Sequence, residues 1–203
     1  MIKIIDYGLG NILAFQNMYK RLNTEVAIAK SAADLCGATK LILPGVGAFD
    51  HAMKLLEQSG MRQSLDELVL GKRLPVLGIC VGMQMLARSS DEGNMPGLGW
   101  IDGKVKDFRS LAQGELRVPH MGWNDVKPAE GEKLFAQLSG GACFYFLHSF
   151  YFHCERREDV AAVSNYGIDF SSAVHSDNIY GVQFHPEKSH QFGARLLKNF
   201  AEL

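Results

Sequence analysis

Short apolar runs alternate with helically spaced apolar residues through the first ninety positions. Lys3-Ile4-Ile5 predicts a buried strand that ends at Asp6-Tyr7-Gly8-Leu9-Gly10. Asn11 then stands as the cap of a segment in which Ile12, Phe15, Tyr19 and Leu22 recur at helical spacing. Val26-Ala27-Ile28-Ala29 predicts a second strand, and Leu41-Ile42-Leu43 a third that runs into Pro44-Gly45-Val46-Gly47. Helical stretches follow through Ala52, Leu55 and Leu56 and from Met61 to Leu70. A strand at Pro75–Ile79 and a helix from Val81 to Ala87 close this half. Repeated strand-then-helix units predict an open, mostly parallel sheet flanked by helices on both faces, the α/β class. Ligands of such sheets bind beyond the carboxyl ends of the strands, where Pro44–Gly47 and Cys80 both fall.

The pattern changes after Asp91. Trp100–Phe108, Met121–Val126, Phe144–Phe152, Ala161–Val163 and Ser171–His175 are β-like segments with Gly, Pro, Asn and Asp between them. They predict antiparallel strands added in the C-terminal half. Phe192, Leu196, Leu197 and Phe200 return to near-helical spacing at the end. No repeat or low-complexity linker divides the chain, and 203 residues suit one well-filled core, so the expectation is a single domain over 1–203.

Composition narrows the function classes. Apolar residues make up 47% and charged residues 21%, the balance of a soluble globular protein. With a formal net charge of −1 and no Lys/Arg-rich stretch, nucleic acid is not the expected partner. No secretory leader or membrane-length apolar run is present, and Cys36, Cys80, Cys143 and Cys154 show no C-x-x-C spacing. Reduced thiols and a cytoplasmic setting follow as expectations. No His/Cys grouping has metal-ligand spacing, so neither a metal nor another cofactor is expected.

Two strings carry chemistry. Gly78-Ile79-Cys80-Val81-Gly82-Met83-Gln84 places a cysteine where a buried strand meets a helix. Such an elbow aims the sulfur over the helix N-terminus, favours the thiolate, and puts the Val81 N–H where an oxyanion would form. The second string is Gln183-Phe184-His185-Pro186-Glu187. Its His185 and Glu187, two residues apart, are expected on the same side of an extended segment, with Pro186 fixing φ and stiffening the spacing. A lone cysteine after a strand is commonly a small buried hydrophobe, and a lone His-x-Glu a surface pair. Combined, they make a Cys-His-Glu nucleophilic triad for hydrolysis or transfer at an amide carbonyl, provided the His185 strand lies beside the Cys80 strand. Gln84, four residues after Cys80, lies on the same helical face and within reach of a substrate above the thiol.

The glycine-flanked Cys80, Gln84 and the Gly-x-Gln-x-His-Pro-Glu frame resemble the class I, triad-type glutamine amidotransferases, which hydrolyse glutamine and release ammonia. Five strings sharpen the resemblance: Asp6–Asn11, Leu43–Phe49, Gly78–Gln84, Pro119–Asn124 and His185–Ser189. Together they look like the glutaminase subunits of imidazole glycerol phosphate synthases. The resemblance implies an oxyanion strand at Val46 and Gly47 acting with Val81. It also implies that Gln84 and the backbone around His148, Ser149 and Phe150 hold the amino-acid end of glutamine. The family usually has Tyr where this chain has Phe150, so the ring is kept and the hydroxyl lost. His120 and His148 are expected to be structural histidines. Asn11 and Trp123 are implied to face a partner, a separate barrel-type cyclase or synthase subunit that receives the ammonia. With these motifs filling the chain, no segment is left over to bind an acceptor. Three alternatives remain: a paralogous subunit serving another synthase, such as one aminating a nucleotide sugar; a stand-alone γ-glutamyl hydrolase; and a non-catalytic regulatory or interaction subunit, against which the complete triad argues.

Overall fold

In the computed structural model, residues 1–110, 116–138 and 141–203 are described. The first half contains β1 (Ile2–Ile5), α1 (Ile12–Arg21), β2 (Val26–Ala29), β3 (Lys40–Gly45) and α2 (Phe49–Gln58). It continues with α3 (Arg62–Asp66), β4 (Val76–Cys80) and α4 (Val81–Gln84). The second half contains β5 (Ser89–Ser90), β6 (Gly103–Asp107), β7 (His120–Asp125), β8 (Lys127–Pro128) and β9 (Cys143–His148). After these come β10 (Phe150–Cys154), β11 (Val160–Tyr166), β12 (Ile168–Ser176), β13 (Ile179–Val182) and α5 (His190–Glu202).

The main sheet runs β2-β1-β3-β4-β13-β12-β10-β6-β5, with β11 on β12 and β8 on β11. From β2 to β13 every pairing is parallel, and β12 turns the sheet antiparallel. The chain steps outward from β1 to β2 and in the opposite direction from β3 to β4. Right-handed crossovers therefore put α1 on one face and α2 with α3 on the other. α5 packs beside α1, and α2 beside α4. This is the predicted mixed α/β sheet with helices on both faces. The central strand β4, Val-Leu-Gly-Ile-Cys, is buried at every position, which is why it reads as an unbroken apolar run rather than an alternation. Among the described residues no helix is long and apolar enough to cross a membrane.

Several local expectations are corrected. Asn11 stands at the N-cap of α1, but its side chain makes no capping hydrogen bond. The helix expected over Met61–Leu70 is α3 followed by a π-helical turn, Glu67–Gly71. The helix after Cys80 ends at Gln84 rather than Ala87. Phe144–Phe152 is two strands: β9 pairs with β7 in a separate two-stranded sheet, and β10 joins the main sheet. The chain crosses from one sheet to the other at Ser149.

Candidate active site

The strand order puts the two chemical strings side by side. β13 pairs in parallel with β4, with Val182 opposite Ile79, so the chain leaving β13 passes the end of the strand that carries Cys80. Cys80 has φ 55° and ψ −114°, left-handed backbone that a β-substituted residue adopts only under constraint. The constraint is close backbone packing. A Cβ on Gly82 would fall 1.9 Å from the Leu43 carbonyl oxygen, one on Gly45 would fall 2.5 Å from the Gly82 nitrogen, and one on Gly78 would fall 2.6 Å from the Gly82 oxygen. These glycines let α4 begin directly against β3, and that contact sets the elbow.

His185 follows the end of β13, and Pro186–Lys188 form a 3₁₀ turn, so the segment is not extended as the sequence reading had it. Proline at the first helical position fits that turn, and the turn carries Glu187 back toward the ring. His185 Nδ1 lies 3.0 Å from Glu187 Oε1, with both side chains almost fully buried. Burial alone would push the imidazole pKa down. Hydrogen bonding and charge from Cys80 and Glu187 outweigh it and carry His185 up to about 10. A histidine held cationic between a sulfur and a carboxylate is an ion-pair arrangement for nucleophilic chemistry.

A cleft of about 380 Å³ opens over these groups. Val46, Gly47, Cys80, Val81 and His185 line it, together with Gln84, His148, Ser149 and Phe150. Gly47 has φ +87° and open space around its Cα, so its role is conformational rather than steric. Gln84 is buried, and its Nε2 donates to the Phe150 carbonyl at 3.1 Å and to Gln183 Oε1 at 3.0 Å. Gln183 Nε2 in turn points at Cys80 Sγ from 4.0 Å.

Against known proteins, residues 3–203 match the sequence profile of the family described as glutamine amidotransferase class-I. The chain belongs to the class I glutamine amidotransferases. An imidazole glycerol phosphate synthase subunit HisH from Bdellovibrio bacteriovorus is 61% identical over 204 residues, all of both chains being covered. A protein named HisH 2 from Pseudomonas aeruginosa is 47% identical over 203 residues, again with full coverage of both. Such similarity places this chain in the HisH branch of the family. Solved structures share the fold. A glutamine amidotransferase superposes with a TM-score of 0.77 at 23% identity, covering 99% of this chain and 97% of the other. The glutaminase domain of a Trypanosoma brucei CTPS, solved with bound acivicin, gives 0.68 at 16% identity, covering 99% and 93%.

For an amidotransferase of this branch, the sequence had marked most of the residues that now share the cleft. Asn11 and Trp123 lie outside it and are both exposed, Trp123 by 49%. The Trp123 ring stacks on His190 at 5.3 Å, and Met121, Leu147 and Val46 add further exposed apolar surface. Val46 and Leu147 belong to the cleft wall itself. Sequence reasoning gave no role to Tyr7, whose hydroxyl donates to the Pro44 carbonyl at 2.8 Å and so pins the base of the Pro44–Gly47 segment. Nor did it give one to Gln183 or to Glu92, another cleft-lining residue. The signal for Tyr7 and Gln183 lies in the sequence motifs, Tyr7 within Asp6–Asn11 and Gln183 within Gln183–Glu187. What the strings do not disclose is the partner of each side chain.

Proposed function

We propose that this chain is one glutaminase domain that hydrolyses L-glutamine to glutamate and ammonia and passes the ammonia to a separate barrel-type cyclase. The assembled synthase would then form imidazole glycerol phosphate and AICAR in histidine biosynthesis. The observation that carries this reading is the convergence, on one cleft, of a strained cysteine elbow, a buried His185–Glu187 pair and the Val46–Gly47 segment.

In the proposed reaction the Cys80 thiolate attacks the side-chain carbonyl of glutamine. The oxyanion is received by the N–H groups of Val81 and of the Val46–Gly47 segment. His185 delivers a proton to the leaving ammonia, then takes one from the water that cleaves the γ-glutamyl thioester. Glu187 orients His185 and stabilises its cationic form. Gln84, with the backbone of His148, Ser149 and Phe150, holds the amino-acid end. Free ammonia is protonated in bulk water, so transfer calls for a sealed interface. The exposed apolar residues Val46, Leu147, Met121 and Trp123 would provide its surface, with Asn11 contributing from the loop before α1. We place the enzyme in the cytoplasm as part of a heterodimer.

The full-length likeness to proteins named HisH favours the histidine pathway. Relatives whose names carry a number, such as HisH 2, give a second reading its one support: a paralogue feeding another synthase. Glutaminase assays with and without a cyclase, together with complementation of a histidine auxotroph lacking this subunit, separate the cases. The expected result is growth, with a poor glutaminase in isolation whose kcat rises more than about tenfold in the complex. Gaining one oxyanion donor is worth about 10²–10³ in rate. Full activity in the chain alone would favour a stand-alone hydrolase, and activity without complementation a paralogue.

A further inference from the structure

Behind the amino-acid end of the cleft lies a row of buried and half-buried polar contacts that the proposed chemistry does not use. On β7, inward-facing residues alternate with the exposed Met121 and Trp123, and two of them, His120 and Asn124, begin the row. Asn124 Nδ2 lies 3.2 Å from His120 Nε2. His120 Nδ1 lies 2.8 Å from His148 Nε2, and His148 Nδ1 lies 2.8 Å from the Phe150 carbonyl oxygen. That same oxygen accepts from Gln84 Nε2. His120 is sandwiched between the Phe146 and Tyr166 rings, with centroids at 4.8 and 4.1 Å.

The polarity of this row is determined independently from its two ends. At the outer end, Asn124 Nδ2 also donates to the Asn165 carbonyl at 2.9 Å, while Asn124 Oδ1 accepts the Asp125 N–H at 2.8 Å. Backbone groups cannot exchange these roles, so the amide presents N–H to His120. At the inner end the Phe150 carbonyl can only accept, so His148 must carry its proton on Nδ1. Both constraints require the same tautomer of both rings, with Nδ1 protonated and Nε2 accepting. Burial pushes His120 down to about 4 and His148 to about 3, so both are neutral near pH 7, as one-way donation demands.

We propose that Asn124, His120 and His148 are positioning residues, a one-way hydrogen-bond relay that holds the Phe150 carbonyl and, through it, Gln84 and the Phe150–Tyr151 peptide in glutamine-binding geometry. With two donors on one oxygen, that peptide is fixed before substrate arrives, which lowers the ordering cost of binding. The relay touches neither the thiol nor His185's proton path to Glu187. Its loss acts on substrate affinity rather than on the chemical step. This inference rests on the glutaminase reading.

Asn124→Asp is the discriminating change, being nearly isosteric but only an acceptor when ionised. It meets the fixed inner end only if His120 takes a second proton. The titratable neighbours of His120 are His148 on β9 and Tyr166 on β11, and His185 lies beyond His148. We expect the complex carrying Asn124→Asp to show a glutamine KM at least about tenfold above wild type at pH 8 and near wild type at pH 6. Its kcat should stay within about threefold at both. Equal KM ratios at the two pH values, or a loss confined to kcat, would overturn the relay. Long-range ¹H–¹⁵N spectra of the wild-type chain test it without any variant: both rings should be Nδ1–H tautomers, and Nε2–H forms would refute it. A wild-type complex that does not hydrolyse glutamine while its tautomers are as expected would instead reject the glutaminase reading.

Discussion

At the scale of single residues, the cleft depends on how Cys80, His185 and Glu187 are held as much as on their identity. Cys80 occupies a left-handed conformation because glycine at 82 lets α4 start against the Leu43 carbonyl. Gly82→Ala places a methyl inside that contact. It should cost about 3 kcal/mol or more in denaturant unfolding, beyond the usual penalty for overpacking. A loss under about 1 kcal/mol would mean that the elbow can shift freely. His185 depends on Glu187 for orientation and charge. Its folded pKa lies above its ordinary 6.5, so the stabilisation it contributes is complete below about pH 6.5 and is lost as pH rises through about 10. Glu187→Gln should lower the His185 pKa in an NMR titration and reduce turnover less than His185→Ala does. The double variant should be little worse than His185→Ala alone, because members of one catalytic unit are not additive. Multiplicative losses would show the two residues acting separately.

At the scale of elements, legibility followed burial. β1, β3 and β4 are buried strands of a parallel sheet and announce themselves as apolar runs, so the parallel half and its strand ends were readable. The division of 144–152 was not, because alternation continues through Ser149 with no Gly or Pro to mark the change of sheet. β11 and β12 extend beyond their apolar cores into polar residues whose partners are distant in sequence. Ser164 Oγ donates to the Asp125 carbonyl at 2.7 Å, for instance, a contact no local pattern encodes. Glu187's place on a 3₁₀ turn was hidden because Pro186 suits either an extended segment or a turn start. The 3₁₀ helix Lys133–Phe135 is held in a way that composition does not suggest either. Glu132 caps it through the Leu134 N–H at 3.2 Å and pairs with His175 Nδ1 at 2.9 Å. Burial opposes both charges, but the hydrogen bond between them holds Glu132 below its ordinary pKa and His175 above its own. The pair's contribution is therefore complete between about pH 4.5 and 6.5. It falls on the acid side as Glu132 protonates and on the alkaline side as His175 loses its proton. Glu132→Gln should cost about 1–2 kcal/mol near pH 6 and flatten the stability profile on both sides. An unchanged profile would assign the 3₁₀ helix to packing alone.

At the scale of the whole molecule, the parallel half supplies Cys80, the chain leaving β13 supplies His185, and the β7–β9 sheet supplies both an exposed apolar face and the His120–His148 contact. Assembly of one cleft from three parts explains why motifs a hundred residues apart were informative only in combination. The central claim is that Cys80 alone is the nucleophile toward glutamine. Cys36 is exposed, while burial raises the thiols of Cys143 and Cys154, the latter to about 12. General alkylation should therefore reach Cys36 readily, whereas a glutamine analogue with an electrophilic side-chain carbon should select the cleft. The direct measurement is peptide mapping by mass spectrometry after the synthase complex is incubated with such an analogue, alongside glutaminase turnover of Cys80→Ala. The account predicts one adduct, on Cys80, and no turnover in Cys80→Ala. An adduct on Cys36, Cys143 or Cys154 with Cys80 unmodified, or glutaminase turnover in Cys80→Ala comparable to wild type, would contradict it.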